Sequence, residues 1–243
     1  LATHVLAVSK SELHFLEQQG VVPHGKAKVL GSGSICGVDM DRFKPDALAR
    51  AQARNELAVS DDAVLCVFLG RLTEDKGVLD LVRAFVISAP HCPKLMLLIV
   101  GPDEEKMIVR LNQLIPPELV SRVLFKGFST NPEHWLAASD FLCLPSYREG
   151  FGMVILEAAA VGIPAIGTRI YGITDSIVEG ETGQLVSAGD IQALSSAINR
   201  WVDDPLQRQQ FAASAYVRVR SEFAQCMVID SYVQYFTQVV SND

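Results

Sequence analysis

Paired cysteines, long apolar runs and excess positive charge are all scarce in this 243-residue chain. Its five cysteines (Cys36, Cys66, Cys92, Cys143, Cys226) are scattered, with no C-x-x-C among them. The odd number and wide spacing exclude a disulfide framework and fit reduced thiols in a cytoplasmic protein. Cys66 and Cys143 fall within apolar runs and read as core. Those runs, such as residues 63–69 and 95–100, have the length of strands. A membrane-spanning helix needs roughly 18–20 apolar residues. The formal net charge of −7 argues against a broad nucleic-acid surface and leaves room for a local basic site. The five histidines (His4, His14, His24, His91, His134) show no H-x-x-x-H spacing. There is no G-x-S-x-G, no H-E-x-x-H and no P-loop, and Gly31, Gly33 and Gly37 miss the G-x-G-x-x-G spacing. Asp39 and Asp41 form a D-x-D, but in a glycine-rich connector that reads as structural. The expectation is therefore no metal and no cofactor.

What the chain has is apolar periodicity. Nearly half of it is hydrophobic, enough for a sizeable core. Continuous apolar segments at 63–69, 95–100, 123–126, 141–144, 165–167 and 183–186 predict strands. Short strands are also expected at 5–8 and 28–30. Between them, helices are expected at 9–20, 47–57, 78–87, 104–115, 132–138, 153–161, 191–202, 205–221 and 228–240, with a short helical or turn segment at 173–178. Continuous apolar strands alternating with helices mean a parallel sheet covered on both faces. The fold class is α/β, a Rossmann-like doubly wound parallel sheet. Residues 31–45 are the clearest boundary. The stripe Phe223, Val228, Tyr232, Tyr235 and Phe236 reads as packing.

Ligands of such sheets bind at the carboxyl ends of the strands. Glycine-bearing turns fall there: Gly70-Arg71, Gly101-Pro102 and Glu149-Gly150. The densest signal is the run Tyr147-Arg148-Glu149-Gly150-Phe151-Gly152-Met153-Val154-Ile155-Leu156-Glu157-Ala158. It places a glycine loop between a strand and a helix, where unpaired N–H groups and the helix dipole attract phosphate. Eight positions at about 100° each keep Glu149 and Glu157 off one helical face. One acid is thus expected in the loop and one in the helix. Glu157 is flanked by Ile155, Leu156, Ala158 and Ala159, so a carboxylate there needs a partner. Arg71 and Lys76, framed by Gly70 and Gly77, sit at another strand-to-helix turn, where two cations would meet an anion. Lys126-Gly127-Phe128 follows a further strand and could equally be an ordinary turn.

These residues carry a resemblance. Glu149 and Glu157 enclose seven residues, and the wording Glu-Gly-Phe-Gly…Leu-Glu-Ala-Ala is similar to the E-x7-E motif of family-4 retaining glycosyltransferases of the GT-B fold. The Gly70-Arg71-Leu72…Lys76-Gly77 segment and the Gly37-Val38-Asp39…Phe43-Lys44-Pro45 passage resemble the same family. Cys36 stands where the family pattern usually has Asn. The resemblance implies that residues 45–243 are the C-terminal nucleotide-sugar donor domain. Residues 1–44 are then the remnant of an N-terminal acceptor domain plus connector, and the chain is expected to be a fragment of a longer protein.

The implied reaction moves a sugar, with retention, from a nucleoside diphosphate sugar to an acceptor hydroxyl. By the resemblance, Glu149 lies by the donor sugar, Arg71 and Lys76 neutralise the leaving diphosphate, and Glu157 grips the ribose. Backbone N–H groups of Phe151, Gly152, Met153 and Val154 hold sugar and phosphates, and Gly150 belongs to the same donor-binding loop. Gly70, Gly101, Lys126, Gly127 and Phe128 border the nucleotide. UDP is the expected nucleotide, with GDP and ADP open. The connector's wording resembles enzymes of bacterial surface polysaccharide synthesis. The acceptor would then be a sugar or a polyprenyl-linked sugar, with peripheral association at the inner membrane face through the missing domain. The isolated fragment should bind donor and turn over poorly. The alternatives are a non-catalytic nucleotide-binding module, or a related GT-B epimerase or phosphorylase. A Rossmann dehydrogenase conflicts with the missing glycine fingerprint.

Overall fold

The computed structural model describes residues 2–242, so the terminal Leu1 and Asp243 of the two expected domains lie outside the described residues. The first 44 residues hold a two-stranded parallel sheet, β1 (Val5–Leu6) and β2 (Ala27–Lys28), joined by helix α1 (Lys10–Gln18). Ser9 caps α1, its side chain accepting from the N–H of Glu12, as residue types at such a position favour. After the connector come α2 (Ala47–Glu56), β3 (Val64–Leu69), α3 (Val78–Ser88), β4 (Leu95–Val100), α4 (Met107–Leu114) and β5 (Val123–Lys126). They are followed by α5 (Pro132–Ala138), β6 (Phe141–Leu144), α6 (Met153–Val161), β7 (Ala165–Thr168), α7 (Ile173–Ser176) and β8 (Gly183–Val186). Helices α8 (Ile191–Asp203), α9 (Pro205–Arg218) and α10 (Gln225–Asn242) complete the chain.

The main sheet is six-stranded and wholly parallel, in the order β5-β4-β3-β6-β7-β8. Helices α3, α4 and α8 pack as neighbours, and α2, α5, α6 and α9 pack as another row. The strands are apolar along their length because both faces are covered: Leu65, Val67, Leu97, Leu98, Phe141 and Leu142 are fully buried. Each such side chain contributes ~1.5–3 kcal/mol of burial. The strand order reverses between β3 and β6, and the crevice outside their carboxyl ends is where sheets of this kind bind ligands.

Some elements differ from expectation. The helix expected at 104–115 begins only at Met107. Lys106 adopts a left-handed conformation (φ 53°), and the Asp103 carboxylate takes the N–H groups of Met107 and Ile108. A side-chain cap thus overrode the apolar spacing. The helix expected at 205–221 is α-helical to Arg218 and then widens into a π turn, Val219–Phe223. The thiols follow expectation: Cys66 and Cys143 are buried in the core, as is Cys92, whereas Cys36 and Cys226 are exposed. Burial pushes the Cys66 thiol well above its ordinary range, with the neighbouring Cys143 adding to the effect, so it stays protonated and inert.

Helix α10 runs back to the first 44 residues. Val38 bridges Ala224, the Tyr232 hydroxyl donates to the Ser34 carbonyl, and the Tyr235 ring meets His4 edge-on. Its other side leaves Ile229, Val233, Phe236 and Val240 exposed, so the stripe is only partly packing. Among the described residues no helix is long and apolar enough to cross a membrane.

Candidate functional site

The loop after β6 and the short 3₁₀ turn after β3 lie against each other at the sheet's reversal point. Gly77 adopts a left-handed conformation (φ 68°), and a Cβ on it would lie 2.0 Å from the Pro145 carbonyl oxygen. Only glycine permits that approach. The Tyr147 N–H donates to the Asp75 carbonyl at 2.7 Å. The two loops thereby bring their charged side chains together. Lys76 Nζ lies 2.7 Å from Glu149 Oε1, with each side chain 15% exposed, and also donates to the Arg148 carbonyl at 3.3 Å. Ser146 Oγ donates to the same Glu149 oxygen at 3.1 Å. The buried Thr168 hydroxyl donates in turn to the Ser146 carbonyl. Glu149 is therefore held in one orientation before any ligand arrives.

A second buttress comes from Gly172 (φ 81°). A Cβ there would lie 2.6 Å from the Glu149 carbonyl and 2.7 Å from that of Gly150. The Gly172 N–H donates to Ser11 Oγ, and the Ser11 hydroxyl donates to Asp175. Asp175 also accepts from the N–H groups of Lys10 and Ser11 at the start of α1. The first 44 residues thus hold, through α1, the Gly172–Asp175 segment that packs on the Glu149 loop.

Beyond that loop, Gly152 (φ 72°) starts α6. Among the described residues, the N–H groups of Phe151, Gly152, Met153 and Val154 donate to no other group. They form an open, positively polarised helix end. The Phe151 side chain is buried, edge-on to Phe223 and close to Gly33, so its ring is core and only its backbone faces outward. Gly127 has open space where a side chain would stand, and a Cβ on Gly150 would lie 4.0 Å from the Val8 side chain.

Glu157 lies further along α6. Its carboxylate is half-buried and, among the described residues, has no hydrogen-bond or ion-pair partner. The partner expected from its apolar flanks is not supplied by the described residues. Burial pushes its pKa upward, while the charge of Arg42 opposes that shift and Glu133 adds to it. A carboxyl with a raised folded pKa binds more protons folded than unfolded. The ligand-free fold therefore loses stability as pH rises from the ordinary Glu range through that raised value. We expect Glu157→Gln to raise the melting temperature of the ligand-free protein at neutral pH. The gain should shrink towards about pH 4, where both states carry the proton; thermal melts across that range check it, and an unchanged melting temperature would contradict it.

The remaining expected residues fall on the rim. Arg71 is exposed and pairs with Glu104 at 3.1 Å, so it does not join Lys76 at one spot. Gly70 and Gly101 touch, their loops being too close to admit a Cβ on Gly101. Lys126 turns to the flank of the sheet, pairing with Glu56 at 3.2 Å with its ammonium 4.8 Å above the Trp135 ring. That engagement takes it away from the helix end of α6. Phe128 is 75% exposed. Among the described residues, no group of three or more His, Cys, Asp or Glu is placed to hold a metal ion.

Sequence reasoning missed Ser146, Thr168, Gly172 and the pair Tyr147–Asp80. The Tyr147 hydroxyl donates to Asp80 Oδ2 on α3, and Asp80 also pairs with Arg83 at 3.1 Å. That hydrogen bond, then burial, raises the Tyr147 pKa. Of these only Tyr147 lies inside the quoted motif, with Ser146 just before it, and neither side chain had been given a role. Tyr147→Phe removes one bond from a buried acceptor, and we expect it to cost about 1–2 kcal/mol in urea unfolding.

The comparisons with known proteins bear on this geometry. The family model described as Glycosyl transferases group 1 matches residues 49–218, well over half of the chain. The chain belongs to that family. It is 30% identical over 224 residues to the capsular polysaccharide biosynthesis glycosyltransferase CapM of Staphylococcus aureus, covering 92% of this chain and 58% of that protein. It is 32% identical over 206 residues to N-acetyl-alpha-D-glucosaminyl L-malate synthase of Bacillus anthracis, covering 83% of this chain and 51% of that protein. The group 1 glycosyltransferase chain thus spans about half the length of the curated relatives it matches. Among solved structures, Anabaena Alr3699/HepE in complex with UDP and glucose superposes with a TM-score of 0.87 at 24% identity, over 98% of this chain and 63% of that one. Sucrose-phosphate synthase from Thermosynechococcus elongatus superposes with a TM-score of 0.86 at 27% identity, over 100% of this chain and 60% of that one. The six-stranded parallel sheet is that of GT-B glycosyltransferases.

Proposed function

We propose that this chain is the nucleotide-sugar-binding half of a family-4 retaining hexosyltransferase. Residues 45–243 form the donor domain, and residues 1–44 are the end of an acceptor domain plus connector. The donor is a UDP-sugar, and the product enters a bacterial surface polysaccharide or a related glycoconjugate. The observation that carries the reading is the half-buried Glu157 carboxylate, without a partner among the described residues, on the helix whose first N–H groups are likewise unpartnered among them. A carboxylate that accepts two O–H donors, beside a helix end that accepts phosphate, matches a nucleoside diphosphate: ribose at one point, diphosphate at the other. The HepE structure bound to UDP adds support for the nucleotide.

In this reading, the departing diphosphate is stabilised by the α6 N–H groups, by Lys76 and by Arg71 swinging from Glu104. Lys76 is charge-balanced by Glu149 in the ligand-free state, so the pair offers both signs of charge within one hydrogen bond. Glu149 faces the sugar as positive charge develops there. No covalent nucleophile and no cofactor is assigned. The acceptor, a sugar or polyprenyl-linked sugar, would enter from the half of the cleft outside residues 45–243, and that half would carry any peripheral membrane contact. The chain by itself should bind donor and transfer slowly.

Calorimetric titration with UDP, GDP and ADP tests the reading. Selective binding of UDP, weakened about tenfold or more by Glu157→Ala and by Arg71→Ala, is the expected result, since hydrogen bonds to charged groups are worth about 1.5–3 kcal/mol. Binding that both substitutions leave unchanged would overturn the site assignment. A non-catalytic module would bind nucleotide in the same way, and it is separated by sugar transfer from the full-length protein.

A further inference from the structure

We propose that Arg42, on the connector, is a positioning residue of the nucleotide pocket: it clamps the turn after β5 and the first turn of α5, the helix packed on the one that bears Glu157. The proposal rests on the donor-binding reading above. Three contacts define the clamp. Arg42 Nη2 and Nε donate to Glu133 Oε2 at 2.8 and 3.0 Å, and Nη2 donates to the Thr130 carbonyl at 2.7 Å. The guanidinium lies 5.1 Å above the Phe43 ring, and the Arg42 N–H is tied to Asp39 Oδ1 at 3.1 Å. The side chain is thus fixed at both ends.

Each contact leads to the pocket. Thr130 closes the turn that carries Gly127 and the exposed Phe128. Glu133 stands in the first turn of α5, which packs on α6, the helix that bears Glu157. The charges of Arg42 and Glu133 act on Glu157 in opposite senses, Arg42 lowering its pKa and Glu133 raising it, against a larger upward push from burial. Arg42 is drawn in turn by Glu133, Glu157 and Asp39. A planar five-donor guanidinium can bridge a carboxylate and a carbonyl at once, which an ammonium cannot do in the same geometry. Because Arg42 belongs to the connector, anchoring it ties the junction between the two parts of the chain to the turn beside the nucleotide.

The opposing charges make the proposal separable from mere support of the fold. An ionised carboxylate accepts two ribose hydroxyls more strongly than a protonated carboxyl does, so UDP affinity should fall on an acidic limb governed by Glu157. Removing Arg42 raises the pH of that limb, and neutralising Glu133 lowers it. A purely structural pair would weaken binding in both variants without moving the limb in opposite directions.

The test is UDP affinity of the full chain from pH 5 to pH 8.5 for wild type, Arg42→Ala, Arg42→Lys and Glu133→Gln, with melting curves for each. Arg42→Ala is expected to raise Kd about tenfold at neutral pH and to move the limb upward. Arg42→Lys should leave the limb in place and weaken binding less. Glu133→Gln should move the limb downward. Arg42→Ala with a Kd within twofold of wild type, or limbs that shift together, would overturn the proposal. Wild-type protein that binds none of UDP, GDP and ADP would instead retire the donor-binding reading on which it stands.

Discussion

Glu149→Ala in the full-length enzyme is expected to lower sugar transfer about 10²–10³-fold, the loss typical of removing one preorganised electrostatic group. The structure explains why the effect should be large. Glu149 is held by Lys76 at 2.7 Å and Ser146 at 3.1 Å, so its charge is aimed before substrate binds. The Lys76 side chain is only 15% exposed in the intact pair, and alanine leaves its ammonium with the Arg148 carbonyl at 3.3 Å as its remaining contact among the described residues. Both charges of the site are then misplaced by one change. Glu149→Gln keeps the shape and the Ser146 bond and should separate charge from packing. Lys76→Ala should cost about as much as Glu149→Ala, and the double variant little more, because paired groups are not additive. The measurement is kcat/KM for donor consumption. Glu149→Ala with more than a tenth of wild-type activity would sink the assignment, and additive losses would mean the two residues act separately. UDP affinity should change far less than kcat, since Glu149 is assigned to the sugar.

Asp140→Ala is expected to cost about 3–5 kcal/mol of stability. Asp140 precedes β6 at the end opposite the site. Its carboxylate accepts from Arg50 Nη2 at 2.8 Å, from Arg54 Nη1 at 3.4 Å and from the Leu65 N–H of β3 at 2.7 Å. The Arg54 side chain is only 4% exposed and otherwise meets the carbonyls of Ala138, Ser60 and Ala63. Without Asp140, a nearly buried guanidinium loses its counter-charge while a strand N–H loses its acceptor. Asp140→Asn keeps an acceptor for Leu65 and should lose less. Urea midpoints report the effect, and a loss below about 1 kcal/mol would show that the carbonyls alone support Arg54. Variant that remains folded should still bind UDP normally, because the hub and the pocket sit at opposite ends of β6.

Much of the fold was legible because its signals are local. The strands at 95–100, 123–126, 141–144 and 183–186 and the helices at 132–138 and 153–161 lie where apolar runs and flanking Gly or Pro place them. A parallel sheet with both faces covered requires unbroken apolar strands, and the chain has them. Where the reading slipped, a side chain acted at short range: Asp103 captured two N–H groups and delayed α4. The glycine loop before α6 was legible for the same reason as the strands, since helix ends announce themselves in nearby residue types.

The sequence by itself determined the alternation of strands and helices, the open helix end at Gly152 and the candidate acids Glu149 and Glu157. Only the tertiary structure decided how these are used. It joined Lys76 to Glu149 across 73 positions, sent Arg71 to Glu104 and Lys126 to Glu56, and left Glu157 without a partner among the described residues. It also set Arg42 against Glu133 and Thr130. Backbone propensity and apolar spacing act over a few residues, so one chain segment displays them. Charge pairing depends on which loops meet at the sheet's reversal point, and that follows from strand order, which no single segment contains.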